Sequence, residues 1–565
     1  MSFVKSSVIQ VWARDNMPKF TPPSVYQLTH TLLPFIYSSC RGTIIEMINQ
    51  MAFISFDTDC WSSANNKQFI SLVGHTIFPD FKFEKIILET HEFKGSHTGQ
   101  NLDTMINEMC RYWQVPQYKS HVAVHDNASN ITLAIVKLSK MASIPCFIHS
   151  CQLIIKETIL GQRQVRNVVI KAKRLARHLK QSKKSVQALE AIQKDNGFQT
   201  LKITQAVSTR WDSTIDMLNS ILRTKCSVKE FLKEPPQGTK VTPFSKEQWV
   251  TMDSITTVFE ILQEQTKLFS KDFTKASEII PACYYVILVL RQNLENIKFV
   301  TIKTTLKAIL NSAIKRFLPF LKNINCVIAT FLDPRYKMSR FTKLQTKDDK
   351  IKQHTYQYIR DELISSYKKY HEGKTAYETK VADEDRIMFA NQGLASIREE
   401  PTDSDHVEDE NEKEVTEHTR KKLHDMLINT EDLEIDEEEI RHLPELYETA
   451  LKSEIAKYYL FDKKKPLDED KCPFDWWRLH KDMFPHLCIM AMKYLSPPGA
   501  SIASERLFSV SGQIIGDLRH RLSGPNTEML TNLACNLPKL EARKTMTFNV
   551  ASLDLHCGKK SSKKT

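Results

Sequence analysis

The fold of this chain is indicated by a stretch that runs Met51-Ala52-Phe53-Ile54-Ser55-Phe56-Asp57-Thr58-Asp59-Cys60-Trp61. Apolar and β-branched residues lead there to two acidic residues, so it predicts a strand that ends in carboxylates. A second stretch, His121-Val122-Ala123-Val124-His125-Asp126-Asn127-Ala128, repeats the pattern. Between them lie two β-rich runs, Gln68 to Phe78 and Phe83 to Phe93, and an amphipathic helix predicted from about Asn101 to Trp113.

These segments follow the order strand, strand, strand, helix, strand, helix, which is typical of the opening half of an α/β ribonuclease H-like fold. In that order Asp59 and Asp126 lie at the ends of neighbouring strands. Adjacent strands lie ~4.8 Å apart, so two such carboxylates can share a metal ion. Asp57 is on the same strand face as Asp59 and is an alternative ligand. Taken alone, each acid is better explained as the cap of a turn.

A third acid, Glu505, lies in the stretch Pro497-Pro498-Gly499-Ala500-Ser501-Ile502-Ala503-Ser504-Glu505-Arg506-Leu507-Phe508-Ser509. The apolar residues that follow it recur at steps of three and four and form one face of a buried helix. They are Leu507, Val510, Ile514 and Leu518. A second helix is predicted to open near Pro525, with an apolar face that includes Leu530 and Leu533. This face serves either dimerisation or packing onto the chain's own core.

Length and composition fit a large globular protein. A chain of 565 residues corresponds to about three or four domains of ~150 residues. No run of ~18 apolar residues exists, so no membrane span is expected. The first fifteen residues lack the apolar core of a secretory signal. Twelve cysteines without framework spacing indicate free thiols in a reducing compartment.

The net charge of +12 is unevenly distributed. Residues 399–439 hold 18 acidic and 4 basic residues, a local charge of −14 that leaves +26 on the remainder. An excess of this size favours a polyanionic partner such as DNA. The acidic segment is expected to be a disordered linker or insertion. The alternative is an interaction tail, or a segment that mimics a polyanion and occupies the basic groove.

A basic face is predicted on a helix around residues 163–184. Its members recur at steps of seven, four, three and four: Arg166, Lys173, Arg177, Lys180 and Lys184. Apolar residues fall largely on another face. The helix is either an ordinary amphipathic helix or a surface that follows the phosphates of nucleic acid, where contacts position DNA without reading its sequence.

Seven short motifs occur in an order that resembles the hAT-superfamily transposases, and in particular their domesticated zinc finger BED domain-containing relatives. The five stronger motifs are Asp59-Cys60-Trp61-Ser62-Ser63, Asp126-Asn127-Ala128-Ser129-Asn130, Cys146-Phe147-Ile148-His149, Thr209-Arg210-Trp211 and Ser504-Glu505-Arg506-Leu507-Phe508-Ser509. The two lesser ones are Leu332-Asp333-Pro334-Arg335-Tyr336-Lys337, and Trp476-Trp477 ahead of Phe484-Pro485. The resemblance covers roughly residues 20 to 540.

The resemblance implies a catalytic triad of Asp59, Asp126 and Glu505 that binds Mg²⁺ or Mn²⁺. It also implies that His149 faces the DNA, that Cys146 supports a strand end, and that the tryptophan of the Arg210-Trp211 pair stacks on a flipped base. Without the family, burial in a core would be the better explanation of that tryptophan. We expect no structural zinc, because Cys146, His149 and Cys151 lack a fourth ligand at suitable spacing.

The family also implies a domain layout, in which an all-helical insertion explains the 379 residues between Asp126 and Glu505. The expected segments are a helical lead-in at 1–48, the first part of the ribonuclease H-like core at 49–218, the helical insertion at 219–396, the acidic linker at 397–440, the dimerisation region at 441–540 and a basic tail at 541–565. Residues 1–50 contain only Cys40, so the BED finger of the relatives is missing from this sequence, through gene loss or because the sequence is a fragment.

Two functions follow from the resemblance, and a scaffold protein that does not act on DNA is a third option. The first is a DNA-binding, dimeric DDE transposase that cleaves phosphodiester bonds and transfers strands. The alternative is a domesticated, catalytically silent nuclear protein that associates with DNA or regulates transcription through C-terminal dimerisation. Both place the protein in the nucleus, and neither involves a membrane.

Overall fold

The computed structural model describes residues 23–62, 67–93, 95–139, 141–207, 211–272, 274–296, 302–342, 352–392, 444–461, 467–468, 470–516 and 522–543. The chain divides into two compact units, one made of residues 1–359 and 461–565 and the other of residues 360–460. The predicted acidic linker at 397–440 lies outside the described residues, as does the predicted basic tail beyond Arg543.

A mixed sheet forms the centre of the first unit. Its strands are β1 (Ile54–Asp57), β2 (Cys60–Ser62), β3 (Gln68–Ile77), β4 (Phe83–Phe93), β5 (Ser120–His125) and β6 (Ala142–Pro145). β3 pairs antiparallel with β1, β2 and β4, whereas β5 pairs parallel with β1 and β6. The order across the sheet is therefore β4, β3, the β1–β2 line, β5 and β6. Along the chain, the strands up to β5 and the helices beside it follow the order that the sequence predicted.

β1 and β2 continue one another along β3. Asp57 pairs with Val73 and Cys60 with Ile70, which is three residues further on each strand. The intervening Asp59 keeps this register, since its carbonyl accepts a hydrogen bond of 3.1 Å from the Ser71 N–H. The first candidate acid therefore lies within a paired line of strands, and its position is fixed by the sheet.

Two helical segments flank β5 as expected. α1 (Leu33–Gln50) precedes the sheet, α2 (Gly99–Tyr112) connects β4 to β5, and α3 (Ser129–Thr132) follows β5. Thr98 caps α2 by accepting a hydrogen bond from the Asn101 N–H. The apolar face of α2 packs against the sheet in one core with α1, and it includes Leu102, Ile106 and Met109.

Helices predominate between β6 and the last acidic motif. They are α4 (Phe147–Gly161), α5 (Arg163–Gln181), α6 (Lys183–Asp195), α7 (Asp212–Arg223), α8 (Lys225–Phe231), α9 (Lys246–Phe269), α10 (Ile279–Glu295), α11 (Lys303–Lys322), α12 (Ile324–Leu332), α13 (Ser339–Thr342) and α14 (Tyr356–Gln392). The basic helix ends earlier than predicted, because Ser182 begins a new helix by accepting the Ser185 N–H. Lys184 therefore lies on α6 and does not continue the basic face of α5.

The lesser motifs have structural contacts in this region. The Trp477 indole donates a hydrogen bond of 2.9 Å to the Leu332 carbonyl, which joins the two motifs. Asp333 is fully buried and accepts hydrogen bonds from the Arg335 guanidinium at 2.7 and 2.9 Å and from the Ser277 hydroxyl at 2.8 Å. These motifs therefore stabilise packing between helices.

The C-terminal helices are α15 (Pro444–Leu460), α16 (Pro473–His480), α17 (Pro485–Leu495), α18 (Ile502–Ile515) and α19 (Gly524–Ala542). α19 covers β4, the edge strand, at a bulge where two backbone groups would lack partners. The Asn536 side chain accepts the Ile87 N–H at 3.1 Å and donates to its carbonyl at 2.7 Å. The Asn532 amide donates to the carbonyls of Ile87 and Leu88. These side-chain amides therefore form hydrogen bonds with backbone groups of β4 that would otherwise be open to pairing with another strand.

Candidate active site

Two of the three acids predicted from the sequence, Asp126 and Glu505, act electrostatically on the third, Asp59. Asp59 is half-buried, and its Oδ1 accepts the Cys60 N–H at 2.8 Å. The pKa of Asp59 is raised to about 7, first by burial and then by the negative charges of Asp126, Glu505 and Asp57, while the Cys60 hydrogen bond opposes the rise. A carboxyl group whose pKa rises because other carboxylates face it is typical of a functional site.

Asp126 and Glu505 approach Asp59 from different elements. Asp126 follows β5, and its Oδ1 accepts the Ala128 N–H at 3.2 Å, as a turn cap does. Glu505 is exposed in the first turn of α18. The oxygens of the three carboxylates do not all lie within 4.8 Å of one another, so this arrangement is wider than a cage for one ion. Two ions ~3.5–4 Å apart need a wider set of ligands.

Asp57, the alternative ligand, has a different role. It is fully buried, and its Oδ1 accepts hydrogen bonds from both the Ser504 N–H, at 3.0 Å, and the Ser504 hydroxyl. Its Oδ2 lies 2.6 Å from His75 Nε2, which donates to it. Burial lowers the pKa of His75. Asp57 therefore fastens the start of α18 to β1 and β3, directly beside Glu505, and sequence reasoning missed this role.

Aromatic and charged contacts also hold the part of α18 that follows Ser504. The Trp61 ring stacks on Phe508 with centroids 5.6 Å apart and an angle of 18° between the planes. The Arg506 guanidinium lies 2.7 Å from the Asp272 carboxylate and donates to the Ser270 carbonyl at 2.6 Å. The first and last motifs of the chain are thus in direct contact, and Glu505 is positioned by residues on both sides.

A cavity of about 1010 Å³ opens beside these contacts. The cavity is lined by Asp59 from the line of β1 and β2, by Glu505 from α18 and by Trp211 at the start of α7. The remaining lining residues are Cys60, Trp61, Ile148, Gln152, Asp212, Thr266, Ser270, Ile502, Arg506, Phe508 and Ser509. Asp212 is a polar member that sequence reasoning missed, and burial followed by the Asp216 charge raises its pKa to about 6.

His149, Cys146 and Arg210 are further site residues that the resemblance implies. His149 is half-buried in the first turn of α4, and burial lowers its pKa against the opposing effect of the Asp126 charge. Cys146 is buried, its N–H donates to the His125 carbonyl at 2.7 Å, and burial raises the pKa of its thiol to about 11. The backbone contact joins Cys146 to the end of β5, and the supporting role that the resemblance implies stays a prediction. Arg210 lies outside the described residues.

The basic helix α5 has the two faces that its sequence predicts. Arg166, Arg177 and Lys180 are exposed and Lys173 is half-buried, whereas the opposite face is buried against neighbouring helices. That buried face contains Val165, Val168, Val169, Ala172, Leu175, Ala176 and Leu179. The four basic residues are therefore available to a polyanion, and DNA contact at this surface remains a prediction.

The predicted dimerisation residues divide into two groups. Leu507 and Leu533 are buried in the chain's own core, where they hold α18 and α19 against the sheet, so they are not available to a second copy. Val510, Ile514 and Leu530 are half-buried, and Leu518 lies outside the described residues. In the same region, Leu479 is 72% exposed and Met483 is 48% exposed. These two exposed apolar side chains were not singled out from the sequence.

We expect Asp59→Asn to stabilise the protein in EDTA at pH 8. Because the folded pKa is about 7 and the unfolded value is near 3.8, the folded state holds the proton more tightly, so stability falls as pH rises between these values. Removing the charge should recover on the order of 2–4 kcal/mol above pH 7 and nothing near pH 3. Thermal unfolding across pH measures the difference. The exposed Asp80→Asn is the matched control, and an equal gain at pH 4 and pH 8 would contradict the electrostatic origin.

Three family models match separate parts of the chain. Residues 57–149 match the "ZBED1 RNase-like domain", residues 144–258 match the "ZBED1 RNase-like helical domain", and residues 456–537 match the "hAT family C-terminal dimerisation region". The first covers Asp59 and Asp126, the second covers Trp211, and the third covers Glu505. The match in the C-terminal region also includes Leu479 and Met483.

Named proteins from animals and plants are similar along most of this chain. Human "Zinc finger BED domain-containing protein 4" is 22% identical over 92% of this chain and 41% of its own length. Mouse "Zinc finger BED domain-containing protein 6" is 21% identical over 95% of this chain and 53% of its own. The maize "Putative AC transposase" is 22% identical over 84% and 55%. The chain thus spans about half the length of the curated relatives it matches.

Proposed function

Because the chain belongs to the hAT family of transposases and their domesticated zinc finger BED relatives, we propose that it is a DNA-binding, self-associating protein that cleaves phosphodiester bonds. The observation that carries the proposal is the cavity of about 1010 Å³ that contains Asp59, Glu505 and Trp211. Three segments far apart in the sequence supply these residues. Each belongs to a motif that resembles a catalytic or DNA-contacting motif of the family.

The acids fit a pair of hard divalent cations. Carboxylate oxygens are the ligands that Mg²⁺ and Mn²⁺ prefer, and the charges of Asp126 and Glu505 on Asp59 supply the negative potential that attracts them. Cations held by Asp59, Asp126 and Glu505 would activate a water molecule and stabilise the leaving oxygen of a phosphodiester. Asp57 contributes by holding the backbone of Ser504, and therefore Glu505, in place.

Other residues of the chain would bind the DNA. Trp211 offers a half-buried ring in the wall of the cavity, and stacking of a base on an aromatic ring contributes about 1–3 kcal/mol. His149 lies in the first turn of α4, where Asp126 acts on it electrostatically. The exposed basic face of α5 would contact phosphates outside the cavity. We also infer that the helices between β6 and α18 form an insertion in the ribonuclease H-like core, and that the protein acts in the nucleus.

Calorimetric titration with Mn²⁺, together with a plasmid assay, tests the catalytic proposal. We expect the wild-type protein to bind Mn²⁺ and to nick supercoiled plasmid in Mn²⁺ but not in EDTA. The Asp59→Asn/Asp126→Asn double variant should lose both properties and keep its helical circular dichroism. The Glu541→Gln variant, which changes an exposed acid of α19, is the control.

Each result bears on one part of the proposal. If the double variant binds Mn²⁺ as the wild type does, the acids do not form a cation site and the catalytic proposal fails. If the wild type binds Mn²⁺ and DNA but does not nick, the function is instead that of a silent DNA-associated or regulatory protein. This alternative retains the DNA surface and the self-association.

A variant that lacks the four basic side chains of α5 should bind DNA of every sequence more weakly. The changes are Arg166→Gln, Lys173→Gln, Arg177→Gln and Lys180→Gln. Each phosphate contact that is lost should flatten the slope of log affinity against log salt by about one unit. Fluorescence anisotropy with a labelled duplex measures the slope. A charge-matched control changes Lys368, Lys369, Lys374 and Lys380 of α14, and an equal slope in both variants would rule out α5 as the contact surface.

Self-association is expected to depend on the exposed apolar side chains of the C-terminal region. Leu479→Asp together with Met483→Asp should lower the mass measured by light scattering, because both side chains are exposed and the family model for this region describes dimerisation. Helical content should not change. Leu160→Asp, at a residue that is 58% exposed on α4, is the control. A wild-type protein that is monomeric at micromolar concentration, or a double variant with wild-type mass, would contradict this interface.

A further inference from the structure

A second cluster of metal-ligand side chains lies at the edge of the sheet, where α19 covers β4. Glu89 and His91 are two residues apart on β4 and therefore point to one face, and Glu528 lies on α19. One ligand atom from each residue can be chosen so that all three lie within 4.8 Å of one another. Within the described part of the chain, no other group of three or more such residues meets this spacing.

The distances in the cluster are close to those between the ligands of a tetrahedral metal ion. His91 Nδ1 lies 3.2 Å from Glu89 Oε1 and 3.4 Å from Glu528 Oε2. A hydrogen bond between a charged imidazole and a carboxylate is shorter, about 2.7–2.9 Å. Ligands of a tetrahedral zinc ion at about 2.0–2.1 Å are separated by roughly 3.3–3.4 Å, so the two distances match the edges of such a tetrahedron.

The surroundings supply a supporting shell. Glu89 is only 6% exposed, and its second oxygen accepts a hydrogen bond of 3.3 Å from the Trp113 indole. This leaves Oε1 directed to His91. Outer hydrogen bonds of this kind orient the ligands of metal sites.

We propose that Glu89, His91 and Glu528 bind one zinc ion, which fastens α19 to β4. One imidazole nitrogen and two carboxylate oxygens, with a water in the fourth position, form a ligand set of the kind that zinc accepts. Sequence spacing gave no sign of this site, because 437 residues separate His91 from Glu528.

Binding measurements on variants of the full chain test the site. We expect the wild-type protein to bind Zn²⁺ after dialysis against EDTA, and its thermal midpoint to rise as Zn²⁺ is added. His91→Gln and Glu528→Gln should each weaken binding by at least about 100-fold, since loss of an outer partner alone costs 10–100-fold. Bound Co²⁺ should show the visible absorption of a tetrahedral site in the wild type only. Glu541→Gln is the matched control on α19.

The Asp59→Asn/Asp126→Asn double variant removes two of the three candidate catalytic acids, and it should bind Zn²⁺ at the Glu89–His91–Glu528 site as tightly as the wild type does. The Glu528→Gln variant retains the shape of the side chain, so a folded Glu528→Gln protein remains informative if His91→Gln does not fold. Zn²⁺ affinity and a Co²⁺ spectrum that are the same in wild type and Glu528→Gln would overturn the proposal. In that case the cluster is an ion pair between His91 and two carboxylates.

Discussion

Glu505→Gln and Asp126→Asn are each expected to lower the rate of Mn²⁺-dependent DNA nicking by about 10³-fold or more. In the proposed site each carboxylate shares in holding cations that stabilise charge on both the attacking and the leaving oxygen, and loss of even one stabilising group at such a centre costs ~10²–10³-fold. Both substitutions preserve side-chain size. Nicking rates at saturating Mn²⁺ and equal protein concentration measure the effect.

The exposed position of Glu505 makes this result informative. Its side chain is exposed, so the folded structure should tolerate glutamine there and the circular dichroism of the variant should match that of the wild type. The Glu541→Gln protein should nick at the wild-type rate. A Glu505→Gln protein with more than one tenth of the wild-type rate would show that another group performs the chemistry.

Asp57→Ala is expected to destabilise the protein by about 3–5 kcal/mol, because it removes one partner from a buried charged network. The change leaves the His75 Nε2, the Ser504 N–H and the Ser504 hydroxyl without their acceptor. Asp57→Asn retains an acceptor for Ser504 and should cost less. Urea unfolding measures both variants, and Asp80→Ala, at an exposed position, is the control.

The same residue should also affect activity without touching the substrate. Asp57→Asn is expected to lower the nicking rate by more than its loss of folded protein can explain. The reason is that the start of α18 carries Glu505 one residue after Ser504. An Asp57→Ala protein as stable as Asp80→Ala would contradict the assigned role. An Asp57→Asn protein with full activity would limit that role to folding.

Much of the α/β core could be predicted because its determinants are local. Alternating and continuous apolar runs predicted the strand order, and the limits predicted for β3 and β4 agree closely with those observed. Asp59 and Asp126 could be proposed together because β1 and β5 are parallel neighbours, so the residues that follow them meet at one edge of the sheet. The spacing of basic and apolar residues likewise predicted the exposed and the buried face of α5.

Errors occurred where a local pattern had more than one use. The spacing of Leu507 and Leu533 predicts a buried helix face but does not say which surface buries it, and both residues pack in their own chain. The step from Lys180 to Lys184 fits one helix, yet Ser182 ends it by capping the next. The spacing of Asp57 and Asp59 on one strand face left both as candidate ligands, and only the match to the family motif favoured Asp59. The hydrogen bonds of Asp57 to Ser504 and His75 were visible only in the structure.

The sequence by itself determined the strands, the helix faces and the set of acids and aromatic residues from which a site can be built, because these depend on residues a few positions apart. Only the tertiary structure decided which of them meet. The contact of Asp57 with Ser504, the cover of β4 by Asn532 and Asn536, and the cluster of His91 with Glu528 each join segments more than 400 residues apart. Such contacts arise when apolar faces are buried together, and no spacing along the chain encodes their partners.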